Sequence, residues 1–188
     1  LLRVGLRTDP SCCHGALDTY TMLAIKEALE RSLHSEETLR EAIGPYLPRW
    51  RYEPSSLTEV LQILVKQKKF LEAERLLRCL RHEELEVNII HYNCAICAAE
   101  RGDAWRFAIK TLAETRQLSV LPDVVSFNTV LSSAMRQWRD ALLTLQTMEA
   151  ESLQISAISI NSVLSASEKS SAWETALLLF STGERGSP

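Results

Sequence analysis

Four cations stand in step along the chain: Lys66, Arg101, Arg136 and Lys169 recur at spacings of 35, 35 and 33 residues. A row of positive charges at a nearly constant interval suits phosphates spaced along a strand. Three amides, Asn93, Asn128 and Asn161, recur in the same register. A short amide carries both hydrogen-bond donors and an acceptor, the equipment for reading the edge of a polar ligand. The competing reading is local: the asparagines cap or solvate helix starts, and the cations are ordinary solvated helix ends.

Other residues with chemical potential lead nowhere. The five cysteines are Cys12, Cys13, Cys79, Cys94 and Cys97, an odd number that does not look like a disulfide framework. Cys94-x-x-Cys97 has neither the second CxxC nor the paired histidines of a zinc site. The equivalent positions hold Thr129 with Ser132 and Ser162 with Ser165, so these cysteines read as small filler residues on a helix. Cys12-Cys13-His14 is equally thin, and His34, His82 and His91 complete no Cys–His or Ser–His–Asp arrangement. With no phosphate-cradling glycine loop and no carboxylate cluster, the expectation is a non-enzyme with no metal and no cofactor.

The elements that must position the cations and amides follow from a repeat. The chain has 188 residues, 46% hydrophobic and 24% charged, a globular balance with a net charge of −3. No apolar run approaches the roughly 18 residues that span a bilayer. Ala73, Ala108, Ala141 and Ala176 lie 35, 33 and 35 apart, each three residues after Phe70, Trp105, Trp138 and Trp173. Leu77, Leu112, Leu145 and Phe180 follow four residues later, completing one stripe of an amphipathic helix that Glu74 interrupts in the first copy. The aromatic residues read as core, not as base-stacking groups. A second stripe precedes each: Leu57, Val60, Leu61, Leu64; Tyr92, Ala95, Ile96, Ala99; Phe127, Val130, Leu131, Ala134; Ile160, Val163, Leu164, Ser167. Each unit is thus a pair of helices, and since one pair cannot bury its apolar faces alone, the units stack into an α-solenoid of antiparallel helical hairpins.

Breaks fall where the period needs them. Pro122-Asp123 closes one unit before Val124 opens the next, and Pro54-Ser55 opens the first clear unit. The division is an extension over 1–16, a degenerate pair or cap over 17–53, and units over 54–88, 89–123, 124–156 and 157–188, the last cut short with a frayed tail from Ser181. The third unit lacks two residues, a loss the register places between Arg136 and Trp138, which predicts a tight turn there. In 17–53, Asp18–Arg31 is helical by composition and Ser35-Glu36-Glu37 starts another run, while Pro45, Pro48 and Arg49-Trp50-Arg51-Tyr52 break the pattern. The first residue is Leu, which suggests a fragment or processed product.

The segment Val124-Val125-Ser126-Phe127-Asn128-Thr129-Val130-Leu131 after Pro122-Asp123 closely resembles the start of a pentatricopeptide repeat. Ile90-His91-Tyr92-Asn93 and Ile158-Ser159-Ile160-Asn161 are fainter versions, and the resemblance covers 54–180 well and 17–53 poorly. The aromatic residue opening each second helix departs from the family, where Leu is commoner. The resemblance implies an all-α, right-handed superhelix of the TPR-like kind whose first helices line a groove for single-stranded RNA, one base per repeat.

It further implies that the fifth and last residues of each repeat select the base: Thr58 with Asn88, Asn93 with Asp123, Asn128 with Ser156, then Asn161. Those pairs suggest A, U, C and a pyrimidine, read 5′ to 3′. The second residues, Ile90, Val125 and Ile158, would clamp bases, with Ser55 a weaker grip in the first unit. The implied setting is mitochondrial or chloroplast RNA processing, stability or editing, with other protein subunits as further partners and no membrane. The rival expectations are a scaffold for protein–protein interaction, which the negative net charge favours, and an appendage to an enzyme domain outside this chain.

Overall fold

A computed structural model of the chain describes Glu27, residues 36–135 and residues 137–171. The expected Asp18–Arg31 helix, the tryptophan stripe at Trp173 and the tail lie outside this span, Glu27 excepted, as does Arg136. The described residues form helices and no strand: α1 Glu36–Ile43, a 3-10 turn Gly44–Tyr46, α2 Leu47–Tyr52, α3 Pro54–Lys66, α4 Phe70–His82, α5 Ile89–Arg101, α6 Trp105–Gln117, α7 Val124–Ser133, α8 Trp138–Ala150 and α9 Ala157–Lys169. From α3 to α8 they are consecutive hairpins, and α9 follows as the first helix of the next unit. The first helices α3, α5, α7 and α9 pack on one another in order, and each second helix wedges between its own partner and the next unit.

The stripes do the packing. Leu57, Leu61, Ala95, Ile96, Ala99, Phe127, Val130, Leu131 and Ala134 are fully buried. Ala73, Ala108 and Ala141, at most 1% exposed, let the second helices approach closely. Ile160 departs from its stripe at 39% exposure. The aromatic residues opening the second helices sit at the rim of the core: Phe70, Trp105 and Trp138 are half-buried, and Phe70 and Trp138 pack against the buried clusters. Trp105 and Trp138 each carry the guanidinium of the following residue, Arg106 at 5.0 Å and Arg139 at 5.3 Å from the ring centroid. Glu74, which breaks the first stripe, joins two units through Arg78 of its own helix (2.9 Å) and Lys110 of α6 (3.2 Å). Arg116–Glu151 and Arg40–Glu83 make similar surface ties between successive helical pairs.

Pro45 and Pro48 interrupt the helical pattern without opening a loop: each occupies the first turn of a new helical segment. A first-turn proline loses no intrahelical bond, so a helix can restart there. Trp50 is thereby carried into the core, 1% exposed and stacked on Tyr46. In the third unit the shortening comes from the helix rather than the turn. α7 has 10 residues where α3 and α5 have 13, and the connection to α8 is not tighter than its equivalents.

Five of the turns between the described helices use one device. Lys68, Glu84, Asp103, Ser119 and Ser152 have φ between 53° and 60°, just past a helix end. The pair of bonds that closes a Schellman motif accompanies each, as in Ser152 N–H to Glu149 O (2.9 Å) and Leu153 N–H to Met148 O (3.1 Å). No glycine fills any of these left-handed positions. An L-residue there costs about 1–2 kcal/mol, against about 0.5–1 kcal/mol of extra chain entropy for glycine. Ser152→Gly is therefore expected to raise stability by about 0.5–1 kcal/mol, a gain of a few °C in Tm, measurable by thermal melting. An unchanged or lower Tm would contradict the strain argument.

Candidate nucleic-acid interface

The start of each first helix builds the site. Asn88, Asp123 and Ser156 are the N-caps of α5, α7 and α9, all with extended backbone, and each side chain accepts from the N–H three residues on. The third helical residue returns the bond: Asn88 N–H to His91 Nδ1, Asp123 N–H to Ser126 Oγ and Ser156 N–H to Ser159 Oγ, all at 3.2 Å. The proposed "last" residue of each unit is thus also the cap of the next.

Across the unit boundary the caps meet the fifth residues. Asn93 donates from Nδ2 to Asp123 Oδ1 at 3.2 Å, and Ser126 Oγ donates to Asn93 Oδ1 at 2.6 Å. Asn128 accepts at Oδ1 from Ser159 Oγ at 2.7 Å, and Ser159 in turn lies 3.1 Å from Ser156 Oγ. The structure therefore brings Asn93 and Asp123 into direct contact and joins Asn128 to Ser156 through Ser159. It does not join Thr58 to Asn88: the Thr58 hydroxyl donates back to Pro54 O at 3.2 Å. Asn161 is exposed. Burial pushes the Asp123 carboxyl up, but bonds from the Ser126 N–H, the Ser126 hydroxyl and Asn93 outweigh it and hold the group below its ordinary range.

The third residues are the members that the sequence reading missed. Ser56, His91, Ser126 and Ser159 are all buried, at 3%, 0%, 0% and 0% exposure. The signal was present in the register of three serines, each two residues before a fifth position. His91 stands where the other three units have serine, and its second nitrogen, Nε2, lies 3.4 Å from Pro54 O of the preceding unit. Nδ1 accepts from Asn88 N–H, so Nε2 carries the proton and the ring is neutral.

Burial lowers the His91 pKa, only partly opposed by the Pro54 carbonyl. The unfolded chain then binds a proton that the folded chain refuses. Stability is highest above about pH 6.5, the ordinary histidine value, and falls as pH drops below it, by up to about 1.4 kcal/mol per pH unit, until the folded pKa is reached. Urea melts at pH 7.5, 6.0 and 5.0 should show this slope in the wild-type chain and a shallower one in His91→Ser. Equal slopes would exclude His91 as the source.

The remaining candidates fall into two rows. Ile90, Val125 and Ile158 are 54%, 59% and 63% exposed, large apolar groups held in water at matching positions. Ser55 is exposed beside them in the series. Lys66, Arg101 and Lys169 end their helices and are exposed, Lys169 Nζ lying 3.7 Å from Met135 Sδ. Second, fifth and thirteenth positions are separated by three and eight residues, which places them on one face of a helix. Cys94 packs against the core, its thiol pushed up to about 11 by burial and then by Cys97, and Cys97 contacts Glu100, so neither is a ready thiolate. Among the described residues no group of His, Cys, Asp and Glu could hold a metal ion, and no helix is long and apolar enough to cross a membrane.

No protein-family model and no curated protein sequence matches the chain. Solved structures do. Over 93% of its length the chain is similar to the pentatricopeptide repeat protein PPR10 in complex with an 18-nt psaJ RNA element, at TM-score 0.56 and 19% identity. Over 85% it is similar to the pentatricopeptide repeat protein PPR10 from maize, at TM-score 0.61 and 18% identity. The chain has the helical-hairpin solenoid fold of these pentatricopeptide repeat proteins. It spans 28% and 24% of the length of the two chains it matches.

Proposed function

We propose that this chain binds single-stranded RNA along the face formed by its first helices, one base per unit. The observation that carries the reading is the coincidence, in each of the units opening at Ile89 and Val124, of an exposed apolar second residue with a half-buried asparagine held against the next helix cap. A base can lie against the apolar side chain while its polar edge meets the amide and cap, the division of labour by which single-stranded bases are read. Asp123 offers only acceptors, which favours a base edge with an N–H such as that of uracil. Ser156, donor and acceptor together, fits cytosine, and Thr58 with Asn88 completes an A-U-C preference. Lys66, Arg101, Arg136 and Lys169 serve the phosphates. The chain acts by occupying a strand, without chemistry of its own, in organellar RNA processing, stability or editing within a longer protein or with partner subunits.

Filter-binding titrations with short single-stranded RNAs at two or more salt concentrations test this. If all four cations meet phosphates, log affinity falls against log salt with a slope of about −3. Asn128→Thr should change the preferred base at one position only. Failure of all single strands to bind, with the cations intact, would overturn the reading in favour of a protein partner.

A further inference from the structure

Resting on that reading, we propose that the third residue of each following unit is a positioning residue for base selection: Ser159 fixes the amide of Asn128, and Ser126 that of Asn93. An unrestrained asparagine amide presents either its oxygen or its nitrogen to a ligand, because the two ends have nearly the same shape. Here the choice is made before any ligand arrives. Ser159 Oγ accepts the Ser156 N–H at 3.2 Å, so its single hydroxyl proton is free to go to Asn128 Oδ1 at 2.7 Å. The amide oxygen is thereby occupied from inside the solenoid and the Nδ2 group, with its two donors, is committed to the groove. Ser126 Oγ lies likewise 2.6 Å from Asn93 Oδ1, but also 2.8 Å from Asp123 Oδ1, so its one proton is shared between them. Asp123 takes one of the Asn93 donors and fixes the same end of the amide. Both serines are fully buried, so water does not compete for the hydroxyl.

The consequence is a base preference that depends on a residue belonging to the next unit and absent from the two-residue pairing. Pinned amides demand an acceptor on the base, such as a pyrimidine O2. The unit at 54–66 lacks the device, since His91 spends both ring nitrogens on Asn88 N–H and Pro54 O and offers nothing to the fifth position. Thr58 turns to its own helix instead.

The test compares Asn128→Ala, Ser159→Ala and Ser159→Thr in titrations against RNAs that differ only at the base opposite Asn128. Ser159→Ala should lower discrimination at that base about five- to tenfold, the worth of one hydrogen bond, with other positions unchanged. Ser159→Thr, which keeps the hydroxyl, should restore it. Should Asn128→Ala abolish the preference and Ser159→Ala leave it whole, the positioning role is overturned while base reading at Asn128 stands. If neither substitution alters the preference, both fall. Because Ser159→Ala also loses a capping bond, a second variant adds the device instead of removing it. Thr58→Asn with His91→Ser should acquire a pyrimidine preference in the first unit that Thr58→Asn alone does not, and equal preferences in the two would overturn the proposal.

Discussion

Replacing Ile90, Val125 and Ile158 together by alanine is expected to weaken single-stranded RNA binding on the order of a hundredfold while leaving the thermal stability of the chain unchanged. The three side chains are more than half exposed, so truncating them opens no cavity, and alanine is at least as good a helix former. Against a base, each would bury apolar surface worth about 1 kcal/mol, about 3 kcal/mol for the set, and each 1.4 kcal/mol is a factor of ten. Leu143→Ala is the matched control: Leu143 is 62% exposed but lies on α8, a second helix away from the proposed groove. Equal losses from the control and the triple variant would mean that surface apolarity in general, rather than this row, attracts the strand. No loss from the triple variant would remove the clamp from the proposed mechanism.

Phe127→Ala should cost about 3–5 kcal/mol of unfolding free energy, the largest effect expected of a single substitution here. Phe127 is fully buried among Ile96, Ala99, Ala108 and Leu112 of one unit and Val130 and Met148 of its own, with the Arg116 guanidinium 5.6 Å from its ring centroid. It is therefore a joint between units as well as a core residue. In a repeat array stability is a sum of unit terms and nearest-neighbour interfaces, so weakening one joint should also divide the cooperative transition. Hydrogen exchange in the variant should show amides of 124–169 losing protection while those of 54–117 keep it, alongside a broadened urea transition. A uniform loss of protection from 54 to 169 would show that coupling does not pass mainly through this joint.

The joint, the clamp row and the amide contacts were not equally legible beforehand. The hairpins at Pro54, Ile89 and Val124, the helix at Ala157, the buried alanines and the recurrence of the cations were readable from the chain because a helix stripe is a local property. Apolar residues three and four apart share a face whatever surrounds them, and repetition at a near-constant interval makes the pattern hard to mistake. Asp123 as a cap was equally readable, since capping joins residues only three apart.

What needed the folded molecule is everything that crosses from one unit to the next. That Asn93 touches Asp123, thirty residues on, and that Ser126 and Ser159 hold the amides of the preceding unit, depends on how far and at what angle the hairpins stack. The same holds for Trp105 and Trp138 ending up half-buried at the rim under arginines, and for Glu74 finding Lys110. Pro45, Pro48 and the short α7 belong here too. Proline permits a turn or a fresh helix start alike, and a two-residue deletion fits a shorter helix as readily as a shorter turn. Packing, which must keep Trp50 and Phe127 buried, decides between them.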